Sequence, residues 1–241
     1  MKNFFNPGRL SVFCAFAGAV CFGLQQWLLG DADEKGLLIA SHPARILSWV
    51  VVLAVAVLIG YALWGKVPRY TFPQVPLNGI GALICAVGFA CAAWSLFSQK
   101  NSLLETPSAI GALICALCAL AQGILRLQKK RPGSLLYLPA ILFFLLFLLA
   151  QYRHWSAEPE LQRYFFALAA HVCIMLSAYY RAAAEVGFKK SKNYLIFSCF
   201  GIFFCLSASA DLWLFYVPMA LYLLLDNCTL VEKKSRPTQE T

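Results

Sequence analysis

LQRYFFALAAHVCIMLSAYYRAAAEVGF, running from Leu161 to Phe188, is the stretch that decides the fold. It is mostly apolar. At ~1.5 Å per helical residue it is long enough to cross a hydrocarbon layer of about 30 Å. His171 stands near its middle, whereas the other apolar segments keep their charges and histidines at or near their ends. An ionisable side chain at membrane depth is a functional-site hypothesis by default.

The rest of the chain has the same character. It has 241 residues, 61% hydrophobic and 13% charged, with a mean hydropathy of +0.68. Soluble domains are roughly 45–50% apolar and about 25% charged, so this composition excludes an ordinary soluble fold. The apolar residues gather into spans at 10–29, 43–64, 77–98, 107–127, 134–151, 161–184, 193–206 and 211–230, with a polar tail over 231–241. The fold class expected is all-α, a polytopic membrane protein built as an eight-transmembrane-helix bundle. Residues 1–230 form one membrane domain, since no charged or Gly/Ser/Pro-rich stretch is long enough for a soluble domain or a linker. A cleaved signal peptide is the rival reading of the first span. Its apolar run exceeds the usual h-region of about 7–15 residues, which favours a retained helix. Ser41 or His42 caps the second span, Pro43 fills its first turn, and Asp211 caps the eighth.

Charge tests the span count. With the N-terminus in the cytoplasm, eight alternating spans put fifteen basic residues in cytoplasmic segments and five outside, together the twenty Lys and Arg of the chain. That asymmetry obeys the positive-inside rule and predicts both termini in the cytoplasm. A plasma-type membrane is expected, since the tail ends Thr-Gln-Glu-Thr without a Lys-Asp-Glu-Leu-type retention signal. It also accounts for the formal charge of +9 without nucleic acid, for which no basic face with interleaved aromatics is present. The partners expected are membrane lipids, including anionic lipids at the basic loops, and a protein partner or a second copy of the chain.

The ten cysteines fall within the spans, so no secreted-type disulfide framework is expected. Cys115 and Cys118 form a CxxC, but in an apolar helix without a second pair they read as small packing residues rather than a metal site. No cofactor is indicated: haem across a membrane needs paired histidines at depth. No P-loop, nucleophile elbow or HExxH motif occurs in a fitting context.

Ile80–Ala86 and Ile110–Ala116 both read IGALICA. Small residues at helical spacing let helices approach closely in lipid. The third and fourth helices are therefore expected to pack together along Gly81, Cys85 and Gly88 on one side and Gly111, Cys115, Cys118 and Gln122 on the other. Gln122 finds its amide partner in that neighbour.

His171 lies ~15 Å down its helix and shares a face with Tyr164, Ala167, Met175, Ala178 and Ala182. It is expected to face the interior, neutral, level with the Pro218 region. Pro218 frees a backbone carbonyl that an imidazole N–H could bind. The candidate ligand-binding residues are His171, Met175, Ser207 and Pro218. The bland alternative is a core histidine bonded to a neighbouring helix. Arg181 and Glu185 read as an interfacial i, i+4 pair. No residue is assigned a catalytic role. The length and span count resemble those of membrane lysoplasmalogenases. No motif accompanies that likeness and no acidic residue stands deep in a span, so it assigns no residue a role.

Three function classes follow. A small-molecule or lipid carrier or binding protein comes first. A non-catalytic membrane subunit or regulator comes second. An intramembrane lipid-modifying enzyme comes third, because an enzyme needs positioned acid, base or metal groups.

Overall fold

Three of the helices begin on a proline, Pro7, Pro43 and Pro76, where the missing N–H costs nothing. Side chains cap two of these starts. Asn6 Oδ1 accepts from the Gly8 N–H at 3.2 Å, and His42 Nδ1 accepts from the Ala44 N–H at 3.2 Å. The computed structural model describes residues 6–31, 42–63, 70–73, 75–99, 105–155, 161–188 and 191–232. The acidic loop over 32–41 and the tail over 233–241 lie outside them.

Among the described residues the architecture is all-helical. It consists of α1 (Pro7–Gly30), α2 (Pro43–Ala62), α3 (Pro76–Gln99), α4 (Glu105–Leu127), α5 (Leu138–Trp155), α6 (Leu161–Val186), α7 (Ser191–Ser207) and α8 (Ser209–Cys228). Six of these, α1 to α6, are long and apolar enough to cross a membrane. Two of the eight expected spans fall short of that length. The α7 helix has 17 residues, and α8 is broken at Leu212 (φ −141°, ψ 60°), which leaves Leu212–Cys228 as its apolar length. Asp211 was expected to cap α8. It lies instead inside the short turn that precedes this break. The fifth helix starts later than expected because Ser134–Tyr137 is a 3-10 turn; α5 then opens at Leu138 with Pro139 in its first turn.

Each helix packs on few neighbours, and the neighbours form a circuit. α3 packs on α4, α4 on α5, α5 on α6, α6 on α7, α7 on α8, and α8 back on α3. These six helices close a ring. α1 lies outside it against α7 and α8, and α2 lies against α1. α7 is buried along most of its length, since α1, α6 and α8 cover it. The outer surface is strongly apolar. Phe16 is 69% exposed, Leu53 68% and Leu117 68%. Water does not favour such a surface, but lipid does.

Close approach in the ring depends on particular glycines. A Cβ on Gly79 would stand 3.0 Å from the Gly123 carbonyl oxygen, and one on Gly123 3.1 Å from that of Gly79. This is how α3 and α4 touch. The face expected to make that contact does something else. Gly81 lies beside Tyr222 and Leu225, the Cys85 thiol donates to Met219 Sδ at 3.6 Å, and a Cβ on Gly88 would come within 2.8 Å of Pro218 Cβ. All four partners are on α8. The reason is geometric. At ~100° per residue, Gly79 and Gly81 stand about 200° apart, so α3 carries two small-residue faces, one for each neighbour in the ring. On α4, Gly111 packs under Phe143 of α5, and Gln122 Nε2 donates to the Leu136 carbonyl at 2.9 Å rather than to α3.

One element was not foreseen. Tyr70–Thr71 (β1) pairs antiparallel with Val231–Glu232 (β2), in segments read from the sequence as loop and tail. Thr71 Oγ1 adds a bond to the Val231 carbonyl at 3.2 Å. This clasp fastens the chain after α2 to the chain after α8.

Candidate functional site

The ring has an interior, and its contents change from one end to the other. Toward the middle it is aromatic. His171 is fully buried there, with ring contacts to Phe147 at 4.9 Å, Phe144 at 5.9 Å and Phe215 at 6.2 Å. Its Nε2 lies 3.4 Å from the Tyr216 hydroxyl. The α8 side chains that meet it are thus Phe215 and Tyr216, just before Pro218 in the chain; Pro218 itself is seated on Gly88 of α3.

At the end where α4, α6 and α8 finish, the interior becomes charged. Arg126 is 0% exposed, Arg181 1% and Asp226 1%, figures that only ion pairing makes tolerable. Asp226 is the hub. Its Oδ2 accepts from the Tyr194 hydroxyl at 2.5 Å and lies 3.1 Å from Arg181 Nε. Its Oδ1 lies 3.4 Å from Arg126 Nη1. Arg126 Nη1 also donates to the Asn78 carbonyl at 3.4 Å, and Nη2 donates to the Tyr137 hydroxyl oxygen at 2.6 Å. Arg181 Nη1 pairs with Glu185 Oε1 at 2.9 Å, one turn on, while the Phe72 ring stacks 3.9 Å from the Arg181 guanidinium carbon. Phe72 directly follows the clasp strand β1 and packs edge-on against Tyr194 at 5.1 Å. In this cluster two guanidinium nitrogens, Arg181 Nη2 and Arg126 Nε, have neither a hydrogen-bond nor an ion-pair partner among the described residues.

The residue after the hub serves a separate network. Asn227 Nδ2 donates to Ser11 Oγ at 2.8 Å and its Oδ1 accepts from Ser198 at 3.0 Å, which ties α1 and α7 to α8. Asp226 and Asn227 are adjacent polar residues near the end of one helix, and each is satisfied by a different set of neighbours.

Between the aromatic middle and the charged end lies a chamber of about 40 Å³. All six ring helices reach it. Its walls are apolar, among them Phe89, Phe144, Ala140 and Met219, and its polar end carries Arg181, Tyr137, Tyr194 and Tyr222. Phe144 touches both this chamber and His171.

The residues singled out from the sequence distribute as follows. None of His171, Met175, Ser207 and Pro218 lines the chamber. Met175 is half-buried against the core, and Ser207 Oγ bonds the Phe203 carbonyl of its own helix at 2.9 Å. Cys85, Cys115 and Gln122 do line it; Cys118, half-buried, does not. Arg181 and Glu185 pair as expected, but Arg181 is in the interior rather than at an interface. Asp226 and Arg126 were not singled out from the sequence, because each is only a turn or less from the end of its helix.

No protein-family model, curated protein or solved structure matches this chain.

Proposed function

We propose that the protein is an eight-span membrane protein of the plasma membrane, with both termini in the cytoplasm, that binds a small, mainly apolar molecule in the chamber on the ring axis. One observation carries the binding reading. A fully buried guanidinium with an N–H left unpartnered lies at the polar end of an otherwise apolar chamber. A buried donor without an acceptor costs about 1–3 kcal/mol, more for a charged group, and an acceptor group on a ligand removes that penalty. Apolar walls with a few convergent polar groups are also the usual make-up of a small-molecule site. At about 40 Å³ the chamber is roughly three times the ~10–15 Å³ that a single water needs, so it takes a small group at the end of a ligand. The flexible thioether of Met219 is the wall that yields to the remainder. This places the ligand beside Arg181 and leaves His171 as a packing residue behind Phe144.

Mass spectrometry of molecules extracted from protein purified in native lipid tests the reading. A near-stoichiometric species is expected from the parent protein. It should be absent from Ala140→Phe, which fills the chamber. Identical extracts from two equally well folded proteins would refute it.

The eight-span topology rests on the fifteen-to-five division of basic residues and on the burial of α7. A helix of 17 residues spans ~25 Å, near the lower limit for crossing, and α7 is shielded from lipid by its neighbours. Reporters placed after Thr241 and within residues 32–41 are expected on opposite sides of the membrane. Finding both on one side would overturn the topology.

A further inference from the structure

If the chamber binds a molecule, as proposed above, the charge balance of its polar end sets the kind of molecule. Two guanidiniums, Arg126 and Arg181, face two carboxylates, Asp226 and Glu185, at separations of 2.9–3.4 Å. The nearest cations in sequence to Arg126, Lys129 and Lys130, are exposed to the outside. Among the described residues no positive charge at the chamber is left without its counter-charge. What the site has left over is donors. Arg181 Nη2 has no partner among the described residues. The Tyr137 oxygen already accepts from Arg126, so its own O–H is available to give. Three other polar groups on the wall are committed, while the Tyr222 hydroxyl is one more O–H at the polar end. Ser177 Oγ donates to the Cys173 carbonyl at 2.8 Å, Gln122 donates to the Leu136 carbonyl, and the Tyr194 hydroxyl is held by Asp226.

We infer that the chamber selects an uncharged apolar molecule that presents a carbonyl acceptor, such as a ketone, ester or amide, over the matching carboxylate. A carbonyl oxygen has two lone pairs for the two donors and brings no charge. A carboxylate would bring a third negative charge beside a cluster of two cations and two anions, of which Arg181 alone reaches the chamber wall. Its desolvation there is not offset by an unpaired positive charge. Glu185 is the group that closes the balance. Removing its charge alone leaves one guanidinium in excess and should open the site to a carboxylate.

Two photoreactive alkyl diazirines of equal length test this, one ending in a methyl ketone and the other in a carboxylate. Each is cross-linked to the full-length protein in lipid nanodiscs, and the labelled residues are mapped by mass spectrometry. Labelling of the chamber walls is divided by that of Ala140→Phe, which removes differences in membrane partitioning. The ketone probe is expected to label the parent protein about tenfold above the blocked variant, with the carboxylate probe near parity. In Glu185→Gln the carboxylate probe is expected to gain about tenfold while the ketone probe still labels, which shows that the chamber is intact. Equal labelling of the parent protein by both probes, or no gain in Glu185→Gln, overturns the selectivity and leaves the binding reading standing. If neither probe labels the parent protein above the blocked variant, the binding reading itself fails, and this inference with it.

Discussion

Asp226→Asn is expected to destabilise the protein by about 3–5 kcal/mol, the usual cost of leaving buried charge without its partner. The substitution keeps the shape and one acceptor for Tyr194. It removes the only carboxylate among the described residues that reaches both Arg126 and Arg181, and among those residues it leaves two buried guanidiniums facing Glu185 alone. Asp226 also ties α8 to α4, α6 and α7 at once, so the loss is felt by four helices rather than one pair. Thermal unfolding in a mild detergent measures the effect. Adding Arg126→Met to Asp226→Asn restores one cation to one anion and should recover part of the loss, with a coupling of about 1–3 kcal/mol. An unchanged melting temperature for Asp226→Asn, or strictly additive losses in the double variant, would sink the account of Asp226 as the hub.

Gly18→Leu should be nearly as damaging, about 3 kcal/mol, at the upper end of what overpacking ordinarily costs. A Cβ at this position would lie 2.8 Å from the carbonyl oxygen of Phe203 and 3.0 Å from Leu206 Cβ, both on α7. The first obstacle is backbone, so no rotamer change relieves it, and α1 must move off α7. That movement pulls on the Ser11–Asn227–Ser198 network, which spans the same helices. Gly23, on the same helix, has open space around its Cβ position and supplies the control. Gly23→Leu is expected to leave the melting temperature within experimental scatter. Equal melting temperatures for the two leucine variants would show that α1 is not held by this contact.

The helices were legible because the signal for each is local. A run of about twenty apolar residues bounded by Pro, Gly or charge marks a span whatever the rest of the chain does. Small errors came where local rules competed. Pro139 pushed the start of α5 to Leu138, and the break at Leu212 moved the entry of α8 past Asp211. Packing partners were harder. The Gly81–Gly88 face looked like a hairpin surface because the fourth helix is next in sequence, but closure of the ring gave that face to α8, more than a hundred residues away. The charged cluster was missed for a related reason. In a one-dimensional reading Arg126, Arg181 and Asp226 are three unrelated residues near helix ends, where such residues usually meet water. A signal was nevertheless present. Each lies in the last two turns of an even-numbered helix, and alternating helices bring those ends together on one side. His171 drew attention instead because it is conspicuous by depth, and depth alone does not reveal which aromatic rings fill the space around it.

Closure of the ring also imposes an order of events on synthesis. The ring closes only where α8 enters between α7 and α3. A nascent chain that has delivered α3 to α7 is an open arc, with Arg126 and Arg181 already made and their shared carboxylate still unmade. Both arginines are near helix ends, and their long stems let them reach headgroup water while they wait. The arrival of Asp226, two residues before the end of α8 and just ahead of strand β2, is what draws them inward. Insertion of α8 and burial of the charges are therefore one step. A chain stalled before Ser209 displays two cations at the membrane surface that the closed ring conceals.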